Sequence, residues 1–305
     1  MKLGELSAAE ITSRLKGLGL RWQLGPFTVE LKGAPPNLAD QLRLIYGEHP
    51  LFREPWQEVA DFHVRLLPGR GVRRWLRPQV HFYIDGPSPF APFPRDHALP
   101  LLEWGLNFCI ASRANHYLLL HTASLARGER GLILPGVPGS GKSTLAAALA
   151  LSGWRLFSDE FALIRPDNGE MIPLVRPVAL KNESIPAIRA YHPGVQLGPA
   201  FDKTRKGTVA HLPPPVGSVA DINQPATPTW VICPRYQPDA PTTLTPLPKS
   251  QGALRIAANA FNYEILGPRA FEVVSQMAKG CRLFELSYSD LAEAVQVIEG
   301  LAAEG

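Results

Sequence analysis

The residues of this chain best placed to do chemistry are Gly136-Val137-Pro138-Gly139-Ser140-Gly141-Lys142-Ser143, followed by Thr144. They fit the pattern Gly, four residues, Gly-Lys-Ser/Thr, whose glycines let backbone N–H groups turn inward as an anion nest. The apolar run 131–134 predicts a strand before the loop, and 143–151 predicts a helix after it. A helix starting there aims the positive end of its dipole at the same point. A nucleoside triphosphate would lie on Gly136, Pro138, Gly139, Ser140, Gly141 and Thr144, with Lys142 reaching the β- and γ-phosphates. The Ser143 hydroxyl is the expected magnesium ligand.

An adjacent acidic pair, Asp159 and Glu160, begins sixteen residues after Ser143, on the first strand expected past the loop helix. Within a regular strand the two side chains would point to opposite faces, so both can serve one site only at a strand end or kink. One carboxylate would stand near the metal and the other near an acceptor hydroxyl. Phosphoryl transfer needs little beyond positioning, charge neutralisation and a group to take the proton. The residues leave open which carboxylate is the base.

The elements that must position these groups follow from pattern. Ser7 and Glu10 form a capping-box start for a helix reaching about Leu18. A strand pair is expected around Gly25-Pro26, a helix at 38–46 capped by Asn37, and alternating strands at 60–67 and 79–84. The loop between the last two carries Arg70, Arg73, Arg74 and Arg77, and reads as a solvated hairpin tip. Pro87, Pro89, Pro92 and Pro94 mark a boundary, giving an α+β module at 1–94 and a loop-bearing domain at 95–305. In the second part, 99–114 reads as a buried helix, 117–126 as one strand and 173–180 as another. Residues 182–191, 253–261 and 267–279 read as helices, and 290–302 as a terminal amphipathic helix.

The whole chain has 305 residues, 45% hydrophobic and 19% charged, with 31 prolines and a net charge of +4. That balance suits an anionic small molecule and is too dispersed for a nucleic-acid surface. Cys109, Cys233 and Cys281 are far apart and form no metal or disulfide pattern, which fits a reducing cytoplasm. The most apolar stretch, 98–120, is interrupted by Glu103, Arg113 and His116, so no membrane span is expected.

Together, the loop and the run Gly153-Trp154-Arg155-Leu156-Phe157-Ser158-Asp159-Glu160 resemble bacterial HPr kinase/phosphorylase, in which an Asp-Asp pair follows the loop at the same distance. A functional histidine of that family stands fifteen residues before the first loop glycine, the position of His121 here. The resemblance implies that His121 orients an acidic residue or acts near the transferred phosphate, and that Glu160 occupies the position of the family's proton acceptor. Glu183 is the nearest counterpart of a downstream magnesium-linked glutamate, and Arg205 or Lys206 of a functional arginine loop.

Residues 121–211 carry the likeness, and Thr204-Arg205-Lys206-Gly207-Thr208-Val209-Ala210-His211 is most similar to the HPr-related kinase A subgroup. The implied fold is the α/β P-loop nucleotide-binding type with a mixed sheet shared with phosphoenolpyruvate carboxykinase. The implied activity is ATP- and magnesium-dependent phosphorylation of a serine in a protein or peptide. A small-molecule alcohol kinase and a slowly hydrolysing nucleotide switch are the alternatives. A PqqD-like peptide-binding partner and a homo-oligomer are further implications of the resemblance.

Overall fold

The computed structural model describes residues 1–56, 59–69, 76–86 and 88–304. Arg70, Arg73 and Arg74 of the arginine-rich loop lie outside the described residues. The chain divides into two compact units. One comprises Met1–Arg113 and Gly198–Val209, the other Ala114–Leu197 and Ala210–Gly305.

The first unit opens with α1 (Ala8–Lys16), held by the expected reciprocal bonds between Ser7 and Glu10 and ended at Gly17. Strands β1 (Leu20–Leu24) and β2 (Phe27–Lys32) form the expected hairpin. Helix α2 (Leu38–Ile45) follows Asn37, whose side chain makes no capping bond. Its backbone instead takes a left-handed turn at φ +62°. Strand β3 (Phe62–Pro68) runs parallel to β2, with α2 in the crossover such a pair requires. Strands β4 (Gln79–Ile84) and β5 (Phe93–Pro94) complete a five-stranded sheet in sequence order. Period-two alternation buries Leu20, Trp22 and Leu24, then Phe62, Val64 and Leu66, then Val80, Phe82 and Ile84.

Helix α3 (Ala98–Arg113) belongs to this first unit, so the division falls after Arg113 and not at the proline-rich stretch ending at Pro94. Packing explains why. Gly105 lets the helix lie on Phe82 of β4, where an added Cβ would come within 2.0 Å of the ring. The Tyr46 hydroxyl donates to the buried Glu103 carboxylate at 2.5 Å.

In the second unit come β6 (Leu118–Leu120), β7 (Thr122–Arg127), β8 (Arg130–Pro135) and α4 (Lys142–Leu151). Next are β9 (Arg155–Ser158), β10 (Ala162–Ile164), β11 (Met171–Ile172), β12 (Val178–Lys181) and α5 (Ser184–Tyr191). The hairpin of β13 (Phe201–Thr204) and β14 (Gly207–Leu212) starts in the first unit. After α6 (Val216–Ala220) the chain forms β15 (Thr227–Tyr236), β16 (Thr243–Pro246), α7 (Lys249–Ala258) and α8 (Tyr263–Leu266). It ends with α9 (Pro268–Gly280), β17 (Arg282–Tyr288) and α10 (Leu291–Ala303).

The main sheet has the order β16-β17-β15-β8-β7-β9 and is mixed. Strands β17, β15 and β8 are mutually parallel, while β16 and β7 run antiparallel to their neighbours. Both faces are buried, so the central strands read as continuous apolar runs. Leu132, Leu134, Trp230, Ile232 and Leu286 face a core shared with α4, α5 and α10. Ile133, Val231 and Leu283 face the core of α7 and α9. No helix among the described residues is long and apolar enough to cross a membrane.

Because a Cβ at position 105 meets a ring inside a packed interface, Gly105→Ala is expected to cost on the order of 1–3 kcal/mol, read as a lower urea midpoint. Adding Phe82→Leu should recover part of the loss. An unchanged midpoint in Gly105→Ala would contradict the packing of α3 on β4.

Candidate active site

Strand polarity gathers the candidate residues at one edge of the main sheet. The parallel strands β8, β15 and β17 end there at Pro135, Tyr236 and Tyr288. Antiparallel β7 begins there, with Thr122 opposite Pro135, and β9 ends there, with Ser158 opposite Ser124. The carboxyl edge of parallel strands is where open α/β sheets place ligand crevices.

From Pro135 the chain enters the glycine loop. A Cβ at Gly136 would come within 2.5 Å of the Ser140 hydroxyl. Gly141 has φ +90°, and a Cβ there would fall 2.2 Å from the Tyr288 hydroxyl, so glycine is required on both counts. Neighbouring strand ends pin the loop. The Tyr236 amide donates to the Ser140 carbonyl at 3.1 Å, and the Tyr288 hydroxyl donates to that of Gly141 at 3.4 Å. Pro138 and Gly139 are exposed at the tip. Lys142 opens α4 and donates from Nζ to the Gly136 carbonyl at 3.1 Å, so its ammonium lies across the loop. Ser143 is half-buried in the first turn, and the Thr144 hydroxyl donates to Ser184 at 2.7 Å, tying α4 to α5.

The acidic pair sits on a bend. Strand β9 stops at Ser158, whose hydroxyl accepts the amides of Glu160 and Phe161, both at 3.1 Å. Such side-chain capture of the next amides folds the chain out of the strand and frees both carboxylates from opposite-face geometry. Asp159 is buried and its Oδ2 accepts the Ala179 amide of β12 at 3.0 Å. Burial, aided by the Glu160 charge, pushes the Asp159 carboxyl up to about 6, against the pull of Ala179, Lys181 and Arg176. For Lys142, burial pushes the ammonium down, while Glu160 and Asp159 pull it back up. These carboxylates and the loop lysine therefore share one electrostatic neighbourhood.

His121 is the single residue that breaks the expected strand 117–126 into β6 and β7. Its amide donates to the Asn259 carbonyl at 2.7 Å, and its ring meets Phe261 edge-on at 5.4 Å. Its Nδ1 lies 3.9 Å from the Glu160 carboxylate. Burial, then the Lys142 charge, lowers the imidazole from its ordinary value against the opposing pull of Glu160, which favours the neutral ring near pH 7.

Arg205 and Lys206 form the turn of the β13–β14 hairpin and belong to the first unit, where the Arg205 guanidinium stands over the Trp104 ring at 5.4 Å. Glu183 is an exposed residue just ahead of α5, next to the Ser184 that bonds Thr144. No group of three or more His, Cys, Asp or Glu among the described residues could hold a metal ion. A magnesium ion here would need phosphate oxygens beside the Ser143 and Asp159 oxygens, the usual arrangement for that ion. The donor chemistry and the glycine cradle fit such a pair of ligands.

Several positioning groups were not singled out from sequence. Asn262, buried, accepts the Leu119 amide and donates to the Tyr117 carbonyl at 2.8 Å, fixing the strand that leads to His121. Asn259 lies near the end of the helix expected over 253–261, and Asn262 lies just past it. Lys181, at the end of β12, and buried Arg176 both act electrostatically on Asp159. The alternation Val178-Ala179-Leu180-Lys181 was the available signal.

No family model matches the chain, and no curated protein matches it. Among solved structures it is similar to the Hpr(Ser) kinase/phosphatase from Coxiella burnetii, with 12% identity over 61% of this chain and 99% of that one and a TM-score of 0.26. At that TM-score the likeness carries no argument about this chain.

The pH dependence of stability has a definite sign. With a folded value of about 6 against 3.8 for a free aspartate, the folded chain holds the Asp159 proton more tightly than the unfolded one. That contribution is full below about pH 4 and is lost as pH rises through about 6. Asp159→Asn should therefore stabilise the chain at pH 8 by on the order of 3 kcal/mol and have little effect at pH 4. Urea midpoints of both proteins across this range decide it. A constant difference would contradict a buried, proton-holding Asp159.

Proposed function

We propose that this chain is an ATP- and magnesium-dependent phosphotransferase that moves the γ-phosphoryl group to a hydroxyl, most simply a serine of a protein or peptide. The observation that carries this is the placement of Lys142, Asp159, Glu160 and His121 at one sheet edge, within electrostatic reach of one another. A glycine loop alone supports nucleotide binding. Two carboxylates and a neutral imidazole beside its lysine add the means to handle a proton.

The loop amides and Lys142 would hold the triphosphate, with the N-terminus of the ten-residue α4 contributing its dipole. Ser143 and Asp159 would hold magnesium, whose charge would offset that of the phosphates. Glu160, half-buried with a carboxylate oxygen 3.9 Å from His121 Nδ1, would accept the proton of the incoming hydroxyl. As that proton moves to the carboxylate, the oxygen–phosphorus bond to the acceptor forms. The bond from the γ-phosphorus to the bridging oxygen breaks, and its electron pair leaves on ADP. Asp159 stays anchored to the Ala179 amide, where it would hold the metal. A neutral His121 orients Glu160 without competing for the triphosphate as a cation would.

Incubation with γ-labelled ATP, magnesium and candidate proteins or peptides, followed by mass spectrometry, tests the reading. A PqqD-like peptide-binding protein is the first to include. Lys142→Ala should abolish transfer, and Glu160→Gln should lower it by on the order of 100-fold or more while nucleotide still binds. Transfer that survives both Lys142→Ala and the double variant Asp159→Ala/Glu160→Ala would sink the proposal. ATP binding with slow hydrolysis and no labelled product would favour a nucleotide switch.

A further inference from the structure

Strand β12 carries more than the amide that holds Asp159. Val178 and Leu180 enter the core under α4, so Ala179 and Lys181 lie on the opposite face of the strand. Lys181 stands two residues beyond the amide that Asp159 accepts. Its charge reaches Lys142, His121 and Asp159 alike, which places it among the groups around the glycine loop. Unlike Lys142, it makes no hydrogen bond or ion pair of its own among the described residues. Lys142 acts on both Asp159 and Glu160, and Lys181 acts on Asp159, so the two lysines stand about the same acidic bend. An uncommitted ammonium in such a cluster is stabilised by an added anion.

We propose that Lys181 is a second phosphate-binding cation of the site, reaching the γ-phosphate of a bound nucleoside triphosphate. It then supplies the charge that the resemblance assigns to Arg205 or Lys206. This rests on the reading that the loop binds ATP. Lys142 would serve the β- and γ-phosphates together, and Lys181 the terminal group alone. Lys181 is in that case what lets the site tell a triphosphate from a diphosphate.

Calorimetric titration of the full chain with magnesium and either ADP or a non-hydrolysable ATP analogue tests this. Lys181→Met should weaken analogue binding by on the order of tenfold, the scale of one charge-assisted hydrogen bond, and leave ADP within about twofold. Lys181→Arg should restore discrimination. Equal loss for both nucleotides in Lys181→Met means a structural role and overturns the proposal. Unchanged analogue binding overturns it as well while leaving the ATP reading in place. Failure of the unaltered chain to bind either nucleotide overturns both.

Discussion

A buried carboxylate held by one backbone amide is the constraint on which the candidate site depends. Asp159 is nearly inaccessible, and its Oδ2 accepts the Ala179 amide at 3.0 Å. A buried carboxyl survives only with hydrogen bonds and compensating charge, or with its proton. The chain supplies some of each: the Ala179 amide, Arg176 and Lys181 nearby, and a proton held to about pH 6. That balance ties β9, β12 and the start of α4 to one another electrostatically. Under the proposed reading, a divalent cation beside Asp159 and a phosphate beside the lysines would add to that balance.

The mixed sheet makes this arrangement possible. Parallel strands β8, β15 and β17 deliver the loop and its two tyrosine supports to the same edge, while reversed β7 presents His121 there. Tyr288 shows how closely the parts are fitted. Its hydroxyl meets the Gly141 carbonyl, and any side chain at that glycine would collide with it. Burial raises the Tyr288 hydroxyl well above its ordinary value, so it remains a donor to the loop over all working pH.

The glycine loop, its flanking strand and helix, and the capping box at Ser7 were legible because each is a local pattern with a local cause. The acidic pair was legible as a pair, and the need for a kink could be argued from strand geometry. Its cause, the Ser158 hydroxyl, was in plain sight as Ser-Asp-Glu. What sequence could not supply were the long-range partners: Ala179 for Asp159, Asn259 and Asn262 for the His121 strand, and Lys181 acting on Lys142. Those pairings join positions 20 to 145 residues apart and leave no periodic trace. The boundary at Pro94 was misplaced for a similar reason. Prolines mark a loop, but Gly105 on Phe82 decides to which unit α3 belongs.

The central claim is that one ligand is handled jointly by the glycine loop and the acidic bend. A crystal structure with magnesium and a non-hydrolysable ATP analogue tests this most directly. The account predicts the β-phosphate against the loop amides and Lys142, with the γ-phosphate turned toward Asp159 and Glu160. A nucleotide bound elsewhere, or one whose γ-phosphate points away from that pair, would contradict it.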